Sequence, residues 1–524
     1  MLKSCWKLSF LGSLAWFGLV PCTMSSAKDY FLTIGGGYSP EGNQASMEAN
    51  VLFFDELLVR QKEGEEFEHK IFFADGNDPS ADVQVTADQG PNASVRRLLS
   101  MIFDWKLEEL DYRNHRVPEI SGSNEPDDFQ AGMDQIAESL TSGDRFFIYV
   151  TAHGGSDKQK KGGHDTSIYG WNRRSVRASE FATWLDKVPS DVPVYMVMAQ
   201  CYCGGYANTI FSAADREQGL ASGLRCGFFA QQHNLPAAGC RPDISNDQEY
   251  SSYFWGAIRG QTRNGQAITD ADRDGDGRVS FAEAHIHAVL TGDTIDIPIR
   301  CSEVLLRAYS QDRSEYMRDA ALASCESDDD ATPLEGNANA ELCDSLLDAE
   351  GTLGDLVAVA DFVNAEVVKG LTEQLGIPLD ATVQDVENRL REAQSMGRGQ
   401  RGRGRGMGQS YRELQKQLRD DLLNHCEELA KADSFDDLEK LGVDLAKLEA
   451  QVQQFPAHNQ LLEQIAERQK RRDAASRAEF DQVRMKRLLQ SLDTIVLAHN
   501  LPHIATAEVV ERYESMMKLE RASL

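Results

Sequence analysis

Between residues 30 and 300, short apolar runs alternate with longer helical patterns, and few folds accommodate that alternation. The runs 30–34, 70–73, 146–151, 194–198 and 227–230 hold four to six residues rich in Val, Ile, Phe and Tyr. They lead into Gly, Asp, His or Cys, as buried strands do. Segments 45–60, 129–140 and 178–188 carry apolar residues at helical spacing. Strands and helices in turn predict an α/β fold, a mostly parallel sheet with helices on both faces. In such sheets reactive groups collect beyond the carboxyl ends of the strands.

The texture changes near residue 302. Strand signals stop, and helical periodicity rich in Glu, Lys, Gln and Ala takes over. This divides the chain into 28–302, an acidic linker at 303–340, and an all-α C-terminal region at 341–524. Residues 397–406 alternate Arg and Gly as a low-complexity loop between helices. Residues 459–500 read as one long helix, its apolar stripe running through Leu462, Ile465, Phe480, Val483, Leu488, Leu492 and Ile495.

The chain holds 54 basic and 83 acidic side chains, a net charge of −29. So acidic a surface repels phosphate backbones and anionic lipid, which argues against nucleic acid and membrane surfaces as partners. Residues 1–27 read as a signal peptide: Lys3 and Lys7, an apolar run at 8–20, then Ser25, Ser26 and Ala27. The run is too short to span a bilayer, which takes about 20 residues. A secreted or periplasmic protein without stable membrane insertion is therefore expected. Beyond that segment stand Cys201, Cys203, Cys226, Cys240, Cys301, Cys325, Cys343 and Cys426. Cys325 and Cys343 flank the acidic linker and are candidates to pair in an oxidising compartment.

Two of the expected strands end in reactive residues. The run 146–152 enters His153-Gly154-Gly155, and 194–200 enters Cys201-Tyr202-Cys203-Gly204-Gly205. Their separation, 201 − 153 = 48, brings both to one sheet edge if the strands are adjacent and parallel. A thiol of ordinary pKa is only slightly ionised at neutral pH, so a nearby imidazole is needed to activate it. The N–H groups of Gly154 and Cys201 are candidates to bind a developing oxyanion. Asn43 is a candidate to assist His153 or to cap the helix that begins at residue 45. Cys203 is a rival nucleophile, His164 is expected in solvent, and His233 is a candidate to line the cleft.

A hydrophobic strand ending in His-Gly, followed by one ending in Gln-Cys-Tyr-x-Gly-Gly, resembles exported members of the caspase–legumain group of cysteine peptidases. The early Gly35-Gly36-Gly37-Tyr38 with Asn43-Gln44-Ala45 is similar to the first-strand turn of legumains. The resemblance covers roughly residues 30–300. It implies a caspase-like sheet and peptide-bond hydrolysis through an acyl-enzyme, with a protein or peptide as substrate. Two positions depart from the pattern: Ala199 stands where those families place Gln, Glu or Asp, and no arginine lies near the first turn. The side chain preferred at the cut is therefore open. A transpeptidase or ligase of the same fold, or an inactive calcium-dependent binding module, are the alternatives. The C-terminal helices are expected either to restrain the cleft or to bind a partner.

Residues 272–283 fit a twelve-residue calcium loop. Asp272, Asp274 and Asp276 stand at positions one, three and five, Gly277 at six and Glu283 at twelve. With Ser280 and the carbonyl of Arg278 they would ligate calcium. No second such loop is present in the sequence, which favours a structural role for the ion.

Overall fold

The computed structural model describes residues 27–245, 247–326, 342–400 and 405–524, with side chains at 321–326, 396–400 and 405–409 left out. The expected signal peptide at 1–27 therefore lies, but for Ala27, outside the described residues, as does Cys325's side chain.

Among the described residues ten strands form in chain order: β1 (Asp29–Gly36), β2 (Phe67–Phe73), β3 (Val83–Thr86), β4 (Leu110–Arg113), β5 (Arg145–Gly155), β6 (Ser167–Gly170), β7 (Arg174–Arg177), β8 (Val194–Met198), β9 (Arg225–Phe229) and β10 (Ile299–Arg300). The main sheet has the order β10-β9-β8-β5-β1-β2. The pairs β1–β2, β1–β5, β5–β8 and β8–β9 are parallel, and the edge strand β10 is antiparallel to β9. Beyond this sheet, the end of β5 pairs with the hairpin β6–β7. The central strands are buried on both sides because helices cover both faces; β8 has no exposed residue at all.

The covering helices are α1 (Ala45–Gln61), α3 (Pro126–Ser139), α4 (Ala178–Leu185), α5 (Tyr250–Arg259), α6 (Phe281–Thr291) and α7 (Cys301–Tyr309); α2 (Ala93–Phe103) lies apart from the sheet. Helix α8 (Arg313–Glu326) follows, so residues 303–326 are largely helical rather than linker. Further on come α9 (Leu353–Val359), α10 (Phe362–Leu375), α11 (Val383–Gln400), α12 (Arg405–His425), α13 (Phe435–Lys440), α14 (Leu445–Val452), α15 (Pro456–Ile504) and α16 (Ala507–Glu520). Helix ends extend into the Arg/Gly stretch, leaving only 401–404 outside the described residues. No described residue after Arg300 belongs to a strand.

The α-helical region is less separate than its texture suggests. Leu497, Leu501, Val509 and Met516 are buried in the same core as the sheet residues Phe147, Met196 and Phe228. Arg300 at the sheet edge pairs with Glu520 at 2.7 Å, both side chains fully enclosed. The Phe281 N–H donates to the Ala522 carbonyl at 2.9 Å. A second core lies between α6, α9, α10 and the middle of α15, and a third between α2, α12–α14 and the start of α15. The expected stripe on α15 holds at Val483, Leu488, Leu492 and Ile495, which are buried, but fails at Leu462, 48% exposed beside a fully buried Leu461. The helix meets different neighbours along its length, so no single stripe can serve it.

Candidate functional site

The parallel register of β5 and β8 runs from Phe146 opposite Val194 to Val150 opposite Met198. It continues past β8, where the Ala199 N–H donates to the Val150 carbonyl at 2.9 Å. His153 and Cys201 each lie three residues beyond the Val150–Met198 pair, at the same level of the sheet edge. Gly154 is in backbone contact with Cys201: a Cβ there would stand 2.0 Å from the Cys201 carbonyl oxygen. Only glycine fits that approach. Immediately after Cys201, Tyr202 takes φ +62°, a left-handed conformation that costs a non-glycine residue roughly 1 kcal/mol and tends to persist at functional turns.

The His153 ring is held from one side. Its Nε2 lies 2.8 Å from the Gly42 carbonyl and 3.0 Å from Gln44 Oε1. The Gln44 amide is itself oriented, its Nε2 donating to the Glu41 carbonyl at 2.9 Å. Two acceptors on one nitrogen require Nε2 to carry the proton, which leaves Nδ1 as the ring's lone-pair atom. Tyr38 packs on the imidazole with ring centroids 5.2 Å apart. Burial holds His153 below the usual histidine pKa, opposed by the bond to the Gly42 carbonyl.

Asn43 does not assist His153. Its side chain accepts from the Gly37 N–H at 3.0 Å and donates to Asp82 Oδ2 at 3.0 Å, and neither bond caps a helix. Its neighbours Gly42 and Gln44 hold the ring instead. Sequence reading missed Gln44; the turn's extended backbone at Gln44 sends its side chain the other way from that of Asn43.

Cys201 is half-buried, and its Sγ accepts from the Ala237 N–H at 3.3 Å. Burial pushes the thiol up from its ordinary pKa; the Ala237 N–H acts against this, and the charge of Asp296 adds to it. Thiol and imidazole are therefore both neutral near pH 7. Cys203 is fully buried, its Sγ enclosed between the N–H and carbonyl of Gln231 at 3.2 and 3.4 Å, and burial pushes its thiol far up. It has no path to a substrate. His164 is not in solvent as expected: its ring packs tilted against His233 with centroids 3.9 Å apart, and burial and the neighbouring His233 push its pKa down to about 4.

In the acidic loop, ligand atoms of Asp272, Asp274 and Asp276 lie within 4.8 Å of one another. Three carboxylates so placed match the hard-oxygen preference of a divalent cation. Glu283 departs from expectation. Its Oε1 accepts from the Arg273 and Asp274 N–H groups at 2.7 and 3.1 Å, and its Oε2 from the N–H and hydroxyl of Ser280 at 2.9 and 2.8 Å. It closes a capping box at the start of α6, so neither Glu283 nor the Ser280 hydroxyl joins the aspartate group. Among the described residues no helix is long and apolar enough to cross a membrane.

No family model matches this chain, and no curated protein matches it. Among solved structures, the crystal structure of protein GSU0716 from Geobacter sulfurreducens is similar over 52% of this chain and 93% of its own, at 11% identity and a TM-score of 0.29. A likeness that slight carries no argument about fold or function.

Proposed function

We propose that this chain is an exported, secreted or periplasmic, cysteine endopeptidase of the caspase–legumain type that acts on protein or peptide substrates and binds calcium. The observation that carries the reading is the level placement of His153 and Cys201 at the carboxyl edge of adjacent parallel strands, with the His153 tautomer set by Gly42 and Gln44.

In this mechanism Nδ1 of His153 takes the Sγ proton as the sulfur attacks the scissile carbonyl carbon. The N–H groups of Gly154 and Cys201 receive the oxyanion. The imidazolium returns its proton to the departing amine, which leaves a thioester on Cys201. Water, deprotonated by the same ring, then releases the acid and restores the thiol. Asp272, Asp274 and Asp276, with the carbonyl of Arg278, would hold calcium, which would neutralise their mutual repulsion in a loop that leads directly into α6.

The test is labelling by a thiol-reactive peptide probe together with hydrolysis of a peptide library. Cys201→Ala and His153→Ala are each expected to lower kcat/KM by about 10³-fold or more without moving the melting temperature. Cys203→Ser is expected to keep activity, and activity surviving in Cys201→Ala would refute the assignment. The pH profile is a second check. His153 must be neutral to act as base, so activity is lost as pH falls through its pKa; because burial lowers that pKa, the acid limb of kcat/KM is expected below the ordinary histidine value of about 6.5.

A further inference from the structure

The segment after β9 folds back along the turn that carries Cys201. The Gly204 N–H donates to the Gln231 carbonyl at 2.8 Å and the Tyr202 N–H to the Leu235 carbonyl at 3.0 Å. The Ala237 N–H then reaches Cys201 Sγ at 3.3 Å. A second loop, 292–298, fastens this segment from outside. The Ala238 N–H donates to Asp296 Oδ1 at 2.7 Å, and Gln231 Nε2 donates to the Pro236 and Ile295 carbonyls at 3.0 and 3.3 Å.

The second loop is fastened in turn from α15. Arg487, 3% exposed, donates to the carbonyls of Val289, Gly292 and Asp296 at 2.7, 2.9 and 2.8 Å and to Thr294 Oγ1 at 3.2 Å. Asp296 itself is 1% exposed. A buried carboxylate is costly to maintain, and this one, beside Thr294 and the Arg487 charge, accepts from the backbone N–H next to the residue that touches Cys201.

We infer that Asp296 is a positioning residue for Cys201: it fixes residues 235–238 so that the Ala237 N–H stays on Sγ, while Arg487 on α15 fixes Asp296. The inference rests on reading Cys201 as the nucleophile. A donor on sulfur favours the thiolate over the thiol. Asp296 thus acts on Cys201 in two opposed ways, through the held donor, which favours the thiolate, and through its own charge, which disfavours it. The charges around Asp296 are those of Arg487 on α15 and Glu249 before α5, with the Tyr250 hydroxyl also facing it. Cys203 and Cys240 are titratable thiols beside Cys201, in addition to His153 at the same level of the sheet edge. The helical half of the chain contributes to the nucleophile through this run of hydrogen bonds.

The two effects separate by substitution. Asp296→Asn removes the charge and keeps an acceptor for Ala238; Asp296→Leu removes both. Iodoacetamide alkylation of Cys201 in the full-length protein, followed by peptide mass spectrometry over a pH series, reads the thiol directly. The midpoint in Asp296→Leu is expected about one pH unit above that in Asp296→Asn. Coincident midpoints in the two folded variants would overturn the inference. Ala237→Pro deletes the donor without touching the 292–298 loop, and its midpoint is expected above that of the unsubstituted protein; an unmoved midpoint would overturn it as well. Alkylation needs no turnover, so a chain that cleaves no peptide still answers this question, and failure of the peptidase reading remains a separate result.

Discussion

The two ends of α15 belong to different parts of the molecule. Its start, at Ala457 and Leu461, is buried with α2 and α12–α14 in a core of Leu, Val and Trp side chains that contains no residue of the main sheet. Residues 469–479 are then exposed throughout. Its end, at Leu497 and Leu501, lies in the core of the sheet itself, and Arg487 just before it reaches the loop behind Cys201. The helix has one composition and two consequences. Loss of the α12–α14 layer removes a satellite core, whereas loss of 485–520 opens the core that carries the His153–Cys201 edge.

The sharpest way to break that contrast is at Glu520. Glu520→Ala leaves the enclosed Arg300 guanidinium with Glu303 alone, and stability is expected to fall by about 3 kcal/mol. Activity should fall with it as the sheet edge loosens. Denaturant unfolding followed by peptide cleavage checks this, and full stability in the variant would mean that the C-terminal helix is dispensable to the sheet. For the same reason, a chain ending at Glu326 is expected to lack a stable fold, so its inactivity would say nothing about inhibition.

Leu418→Ala probes the other core. Leu418 is fully buried there, and a leucine-to-alanine cavity costs about 3 kcal/mol. Here the loss should be local: proteolysis or hydrogen exchange in 405–465 rises, while kcat/KM stays within about twofold. Equal damage to activity would show that the two cores unfold as one.

Calcium is expected to have the smallest effect, and one confined to the sheet side. Binding to the folded state adds about 2.7 kcal/mol at a hundredfold excess over Kd. The loop leads into α6, which packs against both the sheet core and the second core. Chelation should therefore lower the melting temperature first, and activity only as the domain loosens. Asp274→Asn should abolish the calcium-dependent shift, whereas Asp270→Asn, outside the loop, should leave it. A melting curve indifferent to calcium in protein shown to be metal-free would remove the ion from this account.

Much of this was legible in the chain. The strand runs and the helices between them are local patterns that hydrophobic periodicity reports directly, and the grouping of Asp272, Asp274 and Asp276 follows from their spacing in the chain. So were His153 and Cys201, because parallel neighbours of equal register bring the residues after them to one level. Other features had no local signal. Gln44 as the partner of His153 and Asp296 beneath Ala237 are contacts across 109 and 58 residues in sequence, whereas Glu283 as a cap is a local Ser-x-x-Glu contact across 3 residues that the twelve-residue loop spacing masked. Periodicity records which face of an element is apolar and carries nothing about which element meets it. The sequence by itself therefore determined the alternating elements, the placement of His153 and Cys201 at one sheet edge, and the acidic loop. Only the tertiary structure decided which side chains orient that pair, and that the last helices complete the sheet's core, because such contacts are selected by packing and by the need to satisfy buried polar groups.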